Sequence, residues 1–217
     1  MKNAVRIAAL ALLISCFVIA VILCSAGTTV FNGANQCPYN IIVCYTDSAG
    51  VSASVSAAPG VSVSVQSLDS DVSLASAVIW GYPGSNVSLS DCISAKLQAD
   101  LAEFTINGFN NTDFYDISNV NAYNFGITIN PLGIYPCPTP SCSIPNITNF
   151  CQAPNTLTGP LGDGCYNTDG PNVTSPTPGT TAFAYACPDA VSYTTDATGK
   201  VFACSTGSNY EVVFSCS

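Results

Sequence analysis

Between Val51 and Leu68 the chain alternates apolar and serine positions, broken once by Pro59-Gly60. Val61, Val63 and Val65 fall on one face of an extended segment, and Ser62 and Ser64 on the other. With Pro-Gly between the two halves, the pattern predicts a β-hairpin. Further strands are predicted at Thr28–Phe31, Ile41–Tyr45, Ala77–Tyr82, Ala102–Ile106, Phe125–Ile129, Thr181–Tyr185, Val201–Ala203 and Tyr210–Phe214. Many short strands at close spacing predict an all-β sandwich. Only Leu89–Leu101 carries a weak helical pattern. The segment 101–125 places Glu103, Asp113 and Asp116 among alternating apolar residues, which predicts an acidic patch on neighbouring strands. Solvated outer-face carboxylates are the plainer alternative.

Between about Leu132 and Thr180 the alternation gives way to Pro, Gly, Asn and Thr. Such a stretch builds no core of its own. It contains Cys137, Cys142, Cys151 and Cys165, so disulfides are expected to hold it as an excursion from the sandwich. The expected organisation is one domain over 27–217, with the sandwich at 27–131 and 187–217 and the loop-rich disulfide region at 132–186.

Residues 1–26 read as a secretory signal. Lys2 and Arg6 precede an apolar run from Ile7 to Leu23, and Cys24-Ser25-Ala26 offers small residues for cleavage. The alternative is a retained anchor, for which the run is slightly short against the roughly 20 residues of a span. Export suits the cysteines. Without Cys16 and Cys24 the even set Cys37, Cys44, Cys92, Cys137, Cys142, Cys151, Cys165, Cys187, Cys204 and Cys216 remains, which predicts disulfides. Sequons at Asn86, Asn110, Asn146 and Asn172 are glycosylation candidates, some of them expected to stay empty.

Charge and composition narrow the chemistry. The chain of 217 residues has no His, four basic residues, thirteen acidic ones and a net charge of −9. Imidazole catalysis and His-ligated metal sites are thereby excluded. With no C-x-x-C pair either, no metal and no cofactor is expected. After signal removal only Lys96 and Lys200 oppose the thirteen carboxylates, so nucleic acid and anionic membranes are unsuitable partners.

The stretch Leu101–Phe104 followed by Asp113–Ser118 resembles the thaumatin-like (osmotin-like, pathogenesis-related) family. So do Cys187-Pro-Asp-Ala-Val-Ser-Tyr193, the end from Cys204 through Ser208-Asn209-Tyr210 to Cys216, and the start Val30-Phe-Asn with Asn35-Gln-Cys37-Pro-Tyr. The four motifs are colinear and cover nearly all of the mature chain. The resemblance implies a thaumatin-like β-sandwich with a disulfide-stabilised loop-rich insertion. It implies the bridges Cys37–Cys216, Cys137–Cys204, Cys142–Cys187 and Cys151–Cys165. Cys92 lacks its usual family partner, which would fall near Ala99, and Cys44 has no family counterpart. Each orphan satisfies the other, and Cys44–Cys92 is our inference. The family's additional cysteine cluster after Cys165 is absent.

The resemblance also implies an acidic cleft. Glu103, Asp116 and Asp189 match three of its four acids. The fourth position falls at Asn121, and the position of the family's arginine falls at Val78. In the family this cleft is associated with β-1,3-glucan, and some members hydrolyse it weakly. The expectation is a secreted, defence-type monomer that binds wall polysaccharide through an incomplete cleft. The alternatives are a weak endo-β-1,3-glucanase using Glu103 and Asp116, with Asp189 raising their pKa values, and an extracellular scaffold for a protein partner. Phe109, Phe114, Tyr115 and Tyr123 are candidates for stacking on sugar rings, with core packing as the alternative. Trp80 reads as core.

Overall fold

The computed structural model describes residues 28–69, 71–133, 135–157 and 161–216. The signal at 1–26 lies outside the described residues. In chain order the strands are β1 (Thr28–Asn35), β2 (Ile41–Asp47), β3 (Ser52–Ala57), β4 (Ser62–Asp69), β5 (Leu74–Pro83), β6 (Leu101–Ile106), β7 (Thr112–Ser118), β8 (Ala122–Tyr123), β9 (Gly126–Leu132), β10 (Ser141–Cys142), β11 (Cys165–Tyr166), β12 (Ala190–Val191), β13 (Phe202–Ser205) and β14 (Asn209–Ser215). Among the described residues three short α-helices join them: α1 (Leu89–Ser94), α2 (Ile147–Phe150) and α3 (Pro178–Ala186).

Two sheets form the body. One runs β10-β9-β14-β1-β4, and the other runs β12-β7-β6-β5-β2-β3 with β13 also on β7. The fold is an all-β sandwich. Its inner faces are apolar because alternate residues point inward. Ala102, Phe104 and Ile106 of β6 and Tyr115 and Ile117 of β7 are buried. Phe104 packs on Phe31 at 5.0 Å and on Tyr210 at 5.2 Å between ring centroids, so aromatic contacts tie the two sheets.

Two expectations are corrected. The segment around Pro59-Gly60 is not a hairpin. β3 pairs with β2 and β4 pairs with β1, so the turn carries the chain from one sheet to the other. Gly60, at φ +75°, supplies the left-handed turn position. Alternation is identical in either sheet, so it cannot tell a hairpin from a crossover. Secondly, Thr181–Tyr185 is helical, within α3. Thr177 and Thr180 form a reciprocal capping box, with Pro178 in the first turn. The cap sets the helix, and Phe183 buries against Phe150.

A second, smaller core lies on the outer face of the second sheet. Ile42, Cys44, Val78, Trp80 and Leu101 are covered there by Cys92 and Ala95 of the α1 region. The Trp80 indole donates to the Cys92 carbonyl at 3.0 Å. The weak helical pattern of Leu89–Leu101 thus resolves into α1 and a 3₁₀ turn over Ala95–Gln98. Five disulfides cross-link the fold: Cys37–Cys216, Cys44–Cys92, Cys137–Cys204, Cys142–Cys187 and Cys151–Cys165.

Candidate functional site

β6 and β7 form an antiparallel pair in which Glu103 lies directly opposite Asp116. The turn between them places Asn107, Asn110 and Asn111 at positive φ, a conformation asparagine tolerates. Both carboxyls point to the outer face, since their neighbours Ala102, Phe104, Tyr115 and Ile117 point inward. On the other side of Glu103 stands Val78 of β5. The row Val78, Glu103, Asp116 therefore crosses three adjacent strands.

An open groove of about 330 Å³ surrounds the pair, lined also by Ser76, Thr105, Phe114 and Val201. Burial raises the Glu103 pKa, while the Lys96 charge and a hydrogen bond involving Ser118 oppose the rise. Burial and then the Glu103 charge push Asp116 up to about 7. The pair consequently holds a proton into the neutral range.

Asp113 does not join this patch. It lies three residues before Asp116, so it faces the opposite side of the sheet. It is fully buried and accepts from the Asn107 amide (2.8 Å), the Thr206 hydroxyl (2.6 Å) and the Tyr210 hydroxyl (2.9 Å). Its role is to tie the β6–β7 turn to β14. Asp189 immediately precedes β12, whose Ala190 pairs with Ile117. One of its carboxylate oxygens accepts the Ser141 amide at 3.2 Å, beside the Cys142–Cys187 bridge. It is not among the groove's lining residues. Asn121 lies between β7 and β8, and its carbonyl accepts the Asn167 amide at 2.9 Å. It too is absent from the groove lining.

Of the aromatic candidates, Tyr115 and Tyr123 are buried, Phe114 lines the groove, and Phe109 is 87% exposed at the β6–β7 turn. All four sequon asparagines, Asn86, Asn110, Asn146 and Asn172, are exposed.

Sequence reasoning missed Lys96 and Asp100. β5 carries no cation beside Glu103, yet Lys96 on the 3₁₀ turn brings a positive charge to bear on it from a different element. Its scarcity is the signal in the sequence: after the signal segment Lys96 and Lys200 are the only basic residues. Asp100 is fully buried and accepts the Asn124 and Phe125 amides at 3.2 and 3.1 Å. Burial pushes it up to about 7, against those hydrogen bonds. Among the described residues, no cluster of His, Cys, Asp and Glu is placed to hold a metal ion. Nor is any helix of them long and apolar enough to cross a membrane.

The sequence profile of the Thaumatin family matches residues 35–216. The chain belongs to the thaumatin family. Over 139 residues it is 34% identical to pathogenesis-related thaumatin-like protein 3.7 from Cryptomeria japonica, covering 59% of each chain. Over 207 residues it is 30% identical to pathogenesis-related thaumatin-like protein 3.6 of the same species, covering 85% of this chain and 81% of that one. Zeamatin from Zea mays is 33% identical over 124 residues, covering 52% of this chain and 54% of its own. The chain thus spans a little over half the length of several curated relatives it matches. Among solved structures, the thaumatin-like xylanase inhibitor TLXI covers 85% of this chain and 97% of its own at 14% identity, with a TM-score of 0.45.

Proposed function

We propose that this thaumatin-family protein is a secreted, defence-type binder of neutral wall polysaccharide, with β-1,3-glucan as the ligand and the Glu103–Asp116 groove as the site. The observation that carries the reading is the direct pairing of two carboxyls, one with its pKa pushed up to about 7, on the floor of an open groove beside Phe114. A protonated carboxyl donates to a sugar hydroxyl, and an ionised one accepts from the next hydroxyl. Phe114 offers an apolar face to the ring. Two carboxyls line the groove and the Lys96 charge opposes only that of Glu103, so the groove suits uncharged rather than anionic polymer.

The same pairing weighs against efficient hydrolysis. Cleavage requires one carboxyl on each side of the glycosidic bond, about 5 Å or more apart. Residues opposite one another on adjacent strands point the same way and approach a ligand from one side. Binding survives that arrangement more readily than turnover does.

The test is retention on insoluble β-1,3-glucan, followed by a reducing-sugar assay on the supernatant. Glu103→Gln with Asp116→Asn should lose most of the wild type's retention. Retention of that variant equal to a well-bound wild type would exclude the groove, and steady sugar release by the wild type would restore the enzyme reading.

A further inference from the structure

A second concavity lies in the loop-rich region, between α2, the Cys151–Cys165 bridge, β11 and α3. Its volume is about 480 Å³, larger than the acidic groove, and the two share no lining residue. That volume falls in the ordinary range of small-molecule sites, about 300–1,000 Å³.

The lining combines two kinds of side chain. Phe150, Tyr166 and Phe183 supply aromatic surface, with Phe150 and Phe183 edge to face at 5.2 Å. Asn149, Gln152 and Asn155 supply amides. The Asn149 and Asn155 side chains make no hydrogen bond among the described residues, and Gln152 reaches only the Asn149 carbonyl, at 3.4 Å. Among the described residues no carboxylate and no cation lines the pocket, although the chain carries a net charge of −9; the Asp169 carboxylate, beside the lining Gly179, accepts the Thr177 hydroxyl at 2.5 Å. The one titratable side chain, Tyr166, directs its hydroxyl to Gln98 at 3.2 Å.

This combination specifies a ligand chemistry. An uncharged lining gives no preference to anions or cations. A purely apolar ligand would strip water from three amides without replacing their hydrogen bonds. A pyranose satisfies both halves: its C–H face lies on aromatic rings, and its hydroxyls each donate to and accept from amides. We propose that this pocket is a second saccharide site, taking a unit of a neutral glycan independently of the Glu103–Asp116 groove. The inference shares its ligand class with the function proposed above but uses none of the same residues. Two sites on one chain would raise retention on an insoluble polymer well beyond either alone.

The experiment is amide NMR of the full secreted protein titrated with soluble laminarihexaose and, separately, chitohexaose. At least one of them should shift the side-chain amide signals of Asn149, Gln152 and Asn155. Ala182, exposed on α3 and in the lining, provides a block. Ala182→Trp should weaken that interaction by about tenfold or more, equivalent to the loss of one or two good hydrogen bonds. An Asn149→Ala/Asn155→Ala double variant, altering two side chains that make no hydrogen bond among the described residues, should do the same without touching the core. Glu103→Gln/Asp116→Asn should leave these shifts intact, so a failed groove and a failed pocket are told apart. The proposal is overturned if neither sugar moves the three amides, or if their shifts persist unchanged in the Asn149→Ala/Asn155→Ala protein at the remaining amide, Gln152. Loss of the shifts in the groove variant alone would equally overturn it.

Discussion

Asp113 and Asp116 are three residues apart on one strand and serve opposite faces of the same sheet. Asp116 opens into a groove opposite Glu103, while Asp113 is sealed beneath it against Tyr210 and Thr206. Their separation follows from the two-residue repeat of a strand. One carboxylate is left available to a ligand, and the other is committed to holding the hairpin that presents it.

The coupling within the groove predicts how its residues titrate. After burial, the largest influence on Asp116 is the Glu103 charge, so Glu103→Gln should lower the Asp116 pKa from about 7. Lys96→Met should raise that of Glu103, whose carboxyl loses an opposing cation. Carboxyl-carbon NMR titrations read both. An Asp116 midpoint that does not move in Glu103→Gln would show that the two charges do not interact.

Stability should fall as pH rises from about 4 to about 7. Burial raises Asp116 and Asp100 from an unfolded value of 3.8 to about 7, so in this window the folded chain holds protons that the unfolded chain has released. Asp196 works the other way. Burial raises its pKa, but Lys200 and Ser192 outweigh that, so its contribution is present above the unfolded value and lost in stronger acid. Asp116→Asn should therefore stabilise the protein at pH 8 by about 1 kcal/mol, allowing for solvent screening in an open groove. Urea unfolding at pH 4.5, 6 and 8 measures it, and a wild-type stability that climbs through this range would refute the assignment.

Removing the buried Asp113 carboxylate should be costly. Asp113→Ala leaves the Asn107 amide and two hydroxyls without their acceptor, for a loss of roughly 2–5 kcal/mol. Tyr210→Phe deletes one of the three bonds and should cost about 1–2 kcal/mol. Denaturant midpoints decide between this and a solvated carboxylate, whose removal would change stability by only a few tenths of a kcal/mol.

The Cys44–Cys92 bridge joins β2 to α1 over the outer core that contains Trp80. Replacing both cysteines by Ala should cost roughly 2–4 kcal/mol. Because the Trp80 indole donates to the Cys92 carbonyl, and Trp80 is the chain's sole tryptophan, its emission reports this corner directly. The variant should show red-shifted native emission or an earlier thermal transition. Unchanged emission and melting temperature would mean that packing alone holds α1 in place.

Much of the sandwich was legible in the amino-acid sequence, because a buried sheet face writes itself as alternation. β1, β2, β5, β6 and β14 each contain a stretch predicted from that pattern, and the same repeat places Glu103 and Asp116 on a surface face. The even cysteine count pointed to disulfides, and the colinear motifs to the family. What alternation lacks is the identity of the neighbour. It could not assign β3 and β4 to different sheets, because the period is two in either. It read Thr181–Tyr185 as a strand, because the Thr177–Thr180 cap that initiates α3 is a local hydrogen-bonding feature outside the apolar pattern. The Lys96 charge bears on Glu103 through tertiary structure, where the Cys44–Cys92 bridge and the Trp80 hydrogen bond to Cys92 dock the α1 region on the sheet. The amides of Asn149, Gln152 and Asn155 share a pocket with Phe183 only because α3 and the Cys151–Cys165 bridge fold the irregular segment back on itself. Periodicity determines which way a side chain faces; long-range packing alone decides what it meets there.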